Sequence, residues 1–224
     1  MRGIVTGASR GLGLALTRAL SERGWQLAVD ARGAKALEHA VAGLAGVIAI
    51  AGDVADSDHR RRLVETAGEP IDLLVNNASL LGPSPLPPLA RYPLEELRGV
   101  YEANVFAPLA LVQLSLPRFS PHARIVNLIS DAAVEAYETW GGYGSSKAAL
   151  AQITAVLGAE HPGLRVYAVD PGDMRTQMQQ DAFPGEDVSD RPPPEESVPA
   201  LLTLIEGDLP SGLYRARDLV GAPA

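Results

Sequence analysis

Short apolar runs alternate along this chain with segments of helical periodicity, and that alternation limits the fold more than any other feature. Gly3–Thr6, Leu27–Asp30, Val47–Ile50, Ile71–Val75, Arg124–Leu128 and Arg165–Val169 read as strands, with a last short one near Gly212–Tyr214. Between them Gly11–Arg23, Ala34–Ala42, Ser57–Ala67, Tyr143–Glu160 and Glu195–Glu206 read as helices. A long helix is expected from Leu94 to Phe119, kinked at Pro108. Strands joined by helical crossovers pair in parallel, so the expected fold is one α/β domain over residues 1–224. It is a doubly wound parallel sheet of about seven strands with helices on both faces. Gly82–Pro88 is a proline-rich loop, and the polar, proline-rich residues 177–194 are expected as a mobile loop beside a substrate.

Composition removes several function classes. The chain has no cysteine, which excludes disulfides, thiolate nucleophiles and thiolate metal sites, and no metal centre is expected. The net charge is −8 with Lys and Arg scattered, which argues against nucleic acid or an anionic membrane as partner. No run of 18 uncharged apolar residues is present, and the N-terminus lacks the apolar stretch of a signal peptide, so a cytoplasmic protein is expected.

In a doubly wound sheet, ligands bind outside the carboxyl ends of the strands. The first exit reads Thr6-Gly7-Ala8-Ser9-Arg10-Gly11-Leu12-Gly13, a glycine-rich turn entering a helix. Such a turn lets backbone approach a phosphate, while the helix N-terminus offers N–H donors and a positive dipole. The same residues also spell G-x-S-x-G, a hydrolase elbow with Ser9 as nucleophile. Only one strand precedes Ser9, and the last histidine, His161, comes before the sixth strand, so this alternative is the weaker. Later in the chain Tyr143 and Lys147 stand four residues apart, on one face of a helix. An ammonium beside a phenol favours the phenolate and lowers its pKa, which suits acid–base work near neutral pH.

These motifs in this order resemble the short-chain dehydrogenase/reductase superfamily, classical type, from Gly3 to about Thr176. TGxxxGxG is matched by Thr6–Gly13, and the Asp after the third strand by Asp53-Val54. NNAG is matched by Asn76-Asn77-Ala78-Ser79, with Ser79 in place of the final glycine, and the Asn of the long helix by Asn104. Ser130 lies thirteen residues before Tyr143, YxxxK is Tyr143 and Lys147, and the PG motif with its Thr is Pro171-Gly172 and Thr176. Taken singly each has a plainer reading: Asp53 as a helix cap, Asn77 as a turn, Asn104 as a surface residue, Ser130 as a strand-end hydroxyl.

The resemblance implies a Rossmann-like fold and hydride transfer between a nicotinamide cofactor and a small-molecule carbonyl or alcohol. It implies Tyr143 as acid–base, Lys147 as its tuner and ribose ligand, Ser130 as donor to the developing oxyanion, and Asn104 as holder of a water leading to Lys147. The cofactor would lie against Gly7, Ser9, Arg10, Gly11, Leu12, Gly13, Arg32, Asp53, Val54, Asn77, Ala78, Ser79, Pro171, Gly172, Met174 and Thr176. Arg10 and Arg32 suit the 2′-phosphate of NADP, and Asp30 leaves NAD open if the strand register slips by one. Leu80, Leu81, Tyr137, Trp140, Met174, Met178 and Phe183 are candidates for an apolar substrate pocket. Gly141-Gly142 read as the break that lets Tyr137 and Trp140 fold over a substrate. A homodimer or homotetramer is implied, with Leu94–Phe119 and Ala148–Leu157 as candidate contact helices. A dinucleotide sensor of the same fold without catalysis is the alternative of a different class.

Overall fold

The computed structural model describes residues 1–219. Residues 220–224, included in the expected domain, lie outside the described residues. The chain runs β1 (Arg2–Val5), α1 (Gly11–Glu22), β2 (Gln26–Ala31), α2 (Ala34–Val41), β3 (Val47–Ala51), α3 (Ser57–Ala67) and β4 (Ile71–Asn76). It continues through α4 (Leu94–Tyr101), a π-helical turn over Glu102–Phe106, α5 (Ala107–Ser115), β5 (Phe119–Leu128), α6 (Gly141–Glu160) and β6 (Arg165–Asp170). α7 (Gln177–Ala182), α8 (Val198–Glu206), β7 (Gly212–Arg215) and α9 (Ala216–Leu219) follow. The seven strands form one sheet in the order β3-β2-β1-β4-β5-β6-β7, every pair parallel. The order reverses between β1 and β4, and the crevice at that point is where such sheets take ligands.

Successive strand residues point to opposite faces, and both faces are covered. Ile4, Ala28, Leu74, Ile125 and Val166 meet Leu63 and Val64 of α3, Leu111 and Val112 of α5 and Leu157 of α6. Their neighbours Val5, Leu27, Val29, Leu73, Val75, Val126, Tyr167 and Val169 meet Leu12, Leu16 and Leu20 of α1 and Leu201, Leu204 and Ile205 of α8. Burial on both sides is why these strands read as continuous apolar runs and not as alternating ones.

Four departures from the sequence reading bear on the site. The long helix breaks at the π turn over Glu102–Phe106 and not at Pro108, which sits in the first turn of α5 where its missing N–H costs nothing. β5 starts at Phe119, with its register interrupted between Ile71 and Leu73 of β4, and the regular ladder begins at Arg124, as the sequence suggests. Residues 177–194 open with helix α7, capped by Thr176 Oγ1 accepting from Gln179 N at 3.3 Å, where a loop is expected. Gly141 and Gly142 lie inside the first turn of α6 and are no break. A Cβ at Gly142 would collide with the Tyr92 ring, and one at Gly141 would press on Leu89 at 3.0 Å, so close approach is what these glycines provide.

Candidate active site

The glycine turn is fixed from two sides. Gly7 has φ +71°, a backbone conformation that suits glycine, and its N–H donates to Asp30 Oδ1 at 2.8 Å while Ala8 N–H donates to the Asp30 carbonyl at 2.8 Å. Asn77 Nδ2 donates to the carbonyls of Thr6 at 2.8 Å and Gly7 at 3.2 Å. Thr6 Oγ1 accepts from Asn77 N at 3.0 Å and Ala78 N at 2.9 Å, so the exits of β1 and β4 are tied across the crevice. A Cβ on Gly13 would run into Asn77 Nδ2 and the Gly7 carbonyl, which explains the third glycine. Helix α1 has no side-chain cap at Arg10 and no acidic residue in its first turn. Among the described residues no side chain caps its leading N–H groups, an arrangement that suits an anion.

Asp30 is the clearest departure from the sequence reading. It is 1% exposed, and its second oxygen meets His59 Nε2 at 2.9 Å. With both carboxylate oxygens occupied beneath the turn, it cannot take a ribose. Its role is structural, which removes the one feature of the β2 exit that pointed to NAD. Arg32, two residues on, is exposed, as is Arg10 at the start of α1. Asp53 folds onto its own chain, accepting from Ala55 N at 2.9 Å, and Val54 is buried. The cap of α3 is Asp56, which accepts from Asp58 N and His59 N.

Asn104 sits in the π turn, fully buried. Its Oδ1 accepts from Leu80 N at 2.7 Å and Ser79 Oγ at 3.1 Å, and its Nδ2 donates to the Leu80 carbonyl at 2.9 Å and Ser146 Oγ at 3.0 Å. An amide side chain has two protons and two lone pairs, and all four are used. No atom of that side chain is left to hold a water. Leu80 is held by its backbone here and does not line the cavity beside Tyr143.

Tyr143 and Lys147 follow one turn apart on α6, 8% and 2% exposed. Lys147 Nζ lies 5.5 Å from the Tyr143 ring centre and donates to the Leu128 carbonyl at 2.8 Å. Burial governs both groups. It pushes the Tyr143 phenol well above its ordinary range; the adjacent Ser79 hydroxyl lowers it, and the charges of Asp170 and Asp131 raise it further. Burial also pushes the Lys147 ammonium down to about 7. In the protein alone burial sets both directions, and Lys147 is not among the groups that lower the phenol.

Beyond Tyr143 opens a cavity of about 500 Å³, bounded by Leu81, Ser130, Tyr137, Trp140, Pro171, Gly172, Met174, Thr176, Met178 and Phe183 among others. Trp140 stands edge-on to Tyr143 with ring centres 5.9 Å apart and meets Phe183 at 5.8 Å. Ser130, at the end of β5, donates to Asp131 Oδ1 at 2.9 Å and accepts from Ala132 N at 3.2 Å. Asp131, His59 and Tyr92 are the residues sequence reading passes over; each acts through a partner distant in sequence or through a neighbour's hydroxyl. Ser9 has no hydrogen bond to a histidine among the described residues, so a hydrolase dyad is not assembled. No helix among those residues is long and apolar enough to cross a membrane, and no group of three metal-ligating side chains gathers there.

The short chain dehydrogenase profile matches residues 3–187. The 1-deoxy-11-beta-hydroxypentalenate dehydrogenase of Streptomyces arenae is 34% identical over 191 residues, covering 78% of this chain and 67% of that protein. The benzil reductase ((S)-benzoin forming) of Bacillus subtilis is 30% identical over 196 residues, covering 79% and 75%. Among solved structures, a short chain dehydrogenase from Escherichia coli CFT073 complexed with NADPH superimposes with a TM-score of 0.88 at 26% identity, covering 96% of this chain and 95% of that one. The parallel sheet, the glycine turn at its switch point and these relatives together place the chain in the short-chain dehydrogenase/reductase family of oxidoreductases.

Proposed function

We propose that this enzyme transfers a hydride between NADP(H) and the carbonyl or alcohol carbon of a small molecule, with Tyr143 as the proton carrier. The observation that carries this reading is the buried Tyr143 sharing one cavity with Ser130 at the carboxyl ends of β5 and β6. The dinucleotide would lie with its pyrophosphate on the free N–H groups of α1 and its nicotinamide end toward Thr176 and Met174; it supplies the hydride donor or acceptor. Tyr143 gives its proton to a carbonyl oxygen during reduction and receives one during oxidation. Lys147, buried beside it with a pKa near neutrality, would contact the ribose and exchange protons with Tyr143. Titrating NADPH and NADH into the protein and following cofactor oxidation with a carbonyl panel tests the reading. Tight NADPH binding with no turnover would instead favour a sensor.

NADP is favoured over NAD by exposed Arg10 in the glycine turn and exposed Arg32 after β2, with the Asp30 carboxylate turned inward. A guanidinium on a 2′-phosphate makes a charge-assisted contact that NAD cannot return. Replacing both with serine is expected to raise the Kd for NADPH by about 100-fold while changing that for NADH less than about threefold, read by fluorescence titration.

The cavity also constrains substrate charge. Asp131, Glu138, Asp170 and Asp173 line it, whereas no lysine, arginine or histidine does among the described residues. An anion near such carboxylates is repelled by about 1–3 kcal/mol at the effective dielectric of a protein surface. Neutral aryl ketones such as acetophenone and 1,2-diketones such as benzil are therefore expected to exceed 2-oxo acids such as pyruvate and phenylpyruvate by about tenfold or more in kcat/KM. Leu94 and Phe106, exposed on α4 and the π turn, support a homodimer through that face.

A further inference from the structure

Ser130 is expected, from its place in the site, to donate a hydrogen bond to the substrate oxygen. A serine hydroxyl carries one proton and two lone pairs. Here the proton goes to Asp131 Oδ1 at 2.9 Å, and one lone pair takes the Ala132 N–H at 3.2 Å. What remains for the cavity is a lone pair. Asp131 is held in place from its other end, since Oδ2 accepts from the Tyr137 phenol at 2.8 Å. That bond, with the nearby carboxylate charge, raises the Tyr137 pKa and keeps the phenol a donor. Tyr137 thus does more than wall the pocket: Tyr137, Asp131 and Ser130 form a hydrogen-bonded chain that ends at the cavity.

Tyr143 lines the same cavity, and burial holds its phenol toward the protonated form. A substrate oxygen set between Tyr143 and Ser130 therefore meets a donor on one side and an acceptor on the other. An alcohol oxygen satisfies both, accepting from Tyr143 and donating its own proton to Ser130. A ketone oxygen satisfies only Tyr143, and opposes its lone pair to that of Ser130. To serve a ketone, the Ser130 hydroxyl must turn away from Asp131 and leave a carboxylate oxygen without its donor. Hydrogen bonds to charged groups are the costly ones to give up.

We propose that Asp131 is a positioning residue that fixes Ser130 as a hydrogen-bond acceptor, so that the resting site holds an alcohol more tightly than the matching ketone. The inference rests on the oxidoreductase reading of the cavity. Because the overall equilibrium fixes the ratio of forward to reverse kcat/KM, this preference cannot show in that ratio. It appears in the ground-state complexes, where KM and kcat move in compensation.

The test uses complexes that cannot turn over: 1-phenylethanol titrated onto the enzyme with NADPH, and acetophenone onto the enzyme with NADP+, by calorimetry. Asp131→Ala frees the Ser130 proton. It is expected to weaken the alcohol and tighten the ketone, shifting the ratio of the two Kd values by about tenfold toward the ketone. Asp131→Asn, which keeps a neutral acceptor, and Tyr137→Phe, which removes only the outer bond, are expected to shift it the same way by less. NADPH affinity, measured alongside, is expected to stay within about threefold and reports intact folding. An unchanged ratio in Asp131→Ala, or both ligands weakening by the same factor, overturns the proposal, because a purely structural role would produce either. Turnover of the carbonyl panel by the unaltered enzyme, measured first, judges the oxidoreductase reading separately.

Discussion

Replacing Tyr143 with phenylalanine is expected to lower kcat for any carbonyl the enzyme reduces by about 10³-fold, with NADPH affinity changed less than about threefold. Positioned acid–base groups contribute roughly 10²–10⁴-fold to a proton transfer, and no neighbouring side chain can replace this one. Ser130 has its proton committed to Asp131, and Lys147, held on the Leu128 carbonyl, does not line the cavity. The substitution removes a single oxygen. The ring keeps its edge contact with Trp140 and its place beside Leu81 and Ala132, so folding and the cofactor crevice are preserved. The result is read as steady-state NADPH oxidation beside a fluorescence titration on the same sample. Undiminished turnover would show that the proton comes from elsewhere.

The second large effect lies away from the chemistry. Asp30→Ala removes the acceptor of both Gly7 N–H and His59 Nε2, two donors beneath the glycine turn. A buried donor left without a partner costs about 1–3 kcal/mol, so the loss is expected to reach about 2–5 kcal/mol. In a chain of this size that lowers the melting temperature by on the order of 10 °C. The glycine turn loses its anchor at the same time, and NADPH affinity is expected to fall by about tenfold. Asp30→Asn keeps an acceptor for Gly7 and is expected to lose less than half as much stability. Calorimetric melting of the two variants checks both statements; an Asp30→Ala protein that melts with the unaltered one would place His59 and Gly7 under other control.

Most of the scaffold is legible in the sequence because it follows from local periodicity. Strands buried on both faces are runs of β-branched and aliphatic residues, and the glycines of the first turn stand where backbone must approach backbone. What stays hidden depends on partners far along the chain. Asp30 looks like a strand-end carboxylate available to a ribose, and only the fold brings His59 under it. Gly142 looks like a hinge until Tyr92, fifty residues earlier, is placed against it. The π turn at Asn104 has no local cause: four hydrogen bonds from Leu80, Ser79 and Ser146 hold it. Helix α7 begins in a segment whose later prolines read as loop, and its start depends on the Thr176 cap. The Tyr143 and Lys147 pair is readable from helical spacing, and Ser130 from the resemblance to the family's motif order. Their protonation is not, because burial follows from the packed fold and the carboxylates of Asp131 and Asp170 come from two different strand exits.

The central claim is direct hydride transfer in the cavity beside Tyr143. NADPH carrying deuterium at both C4 positions, incubated with the enzyme and the best carbonyl of the panel, tests it in one mass spectrum. The predicted product is an alcohol bearing one deuterium on the carbinol carbon, absent when Tyr143→Phe protein is used. An alcohol without deuterium, or oxidised cofactor with no alcohol formed, would contradict it.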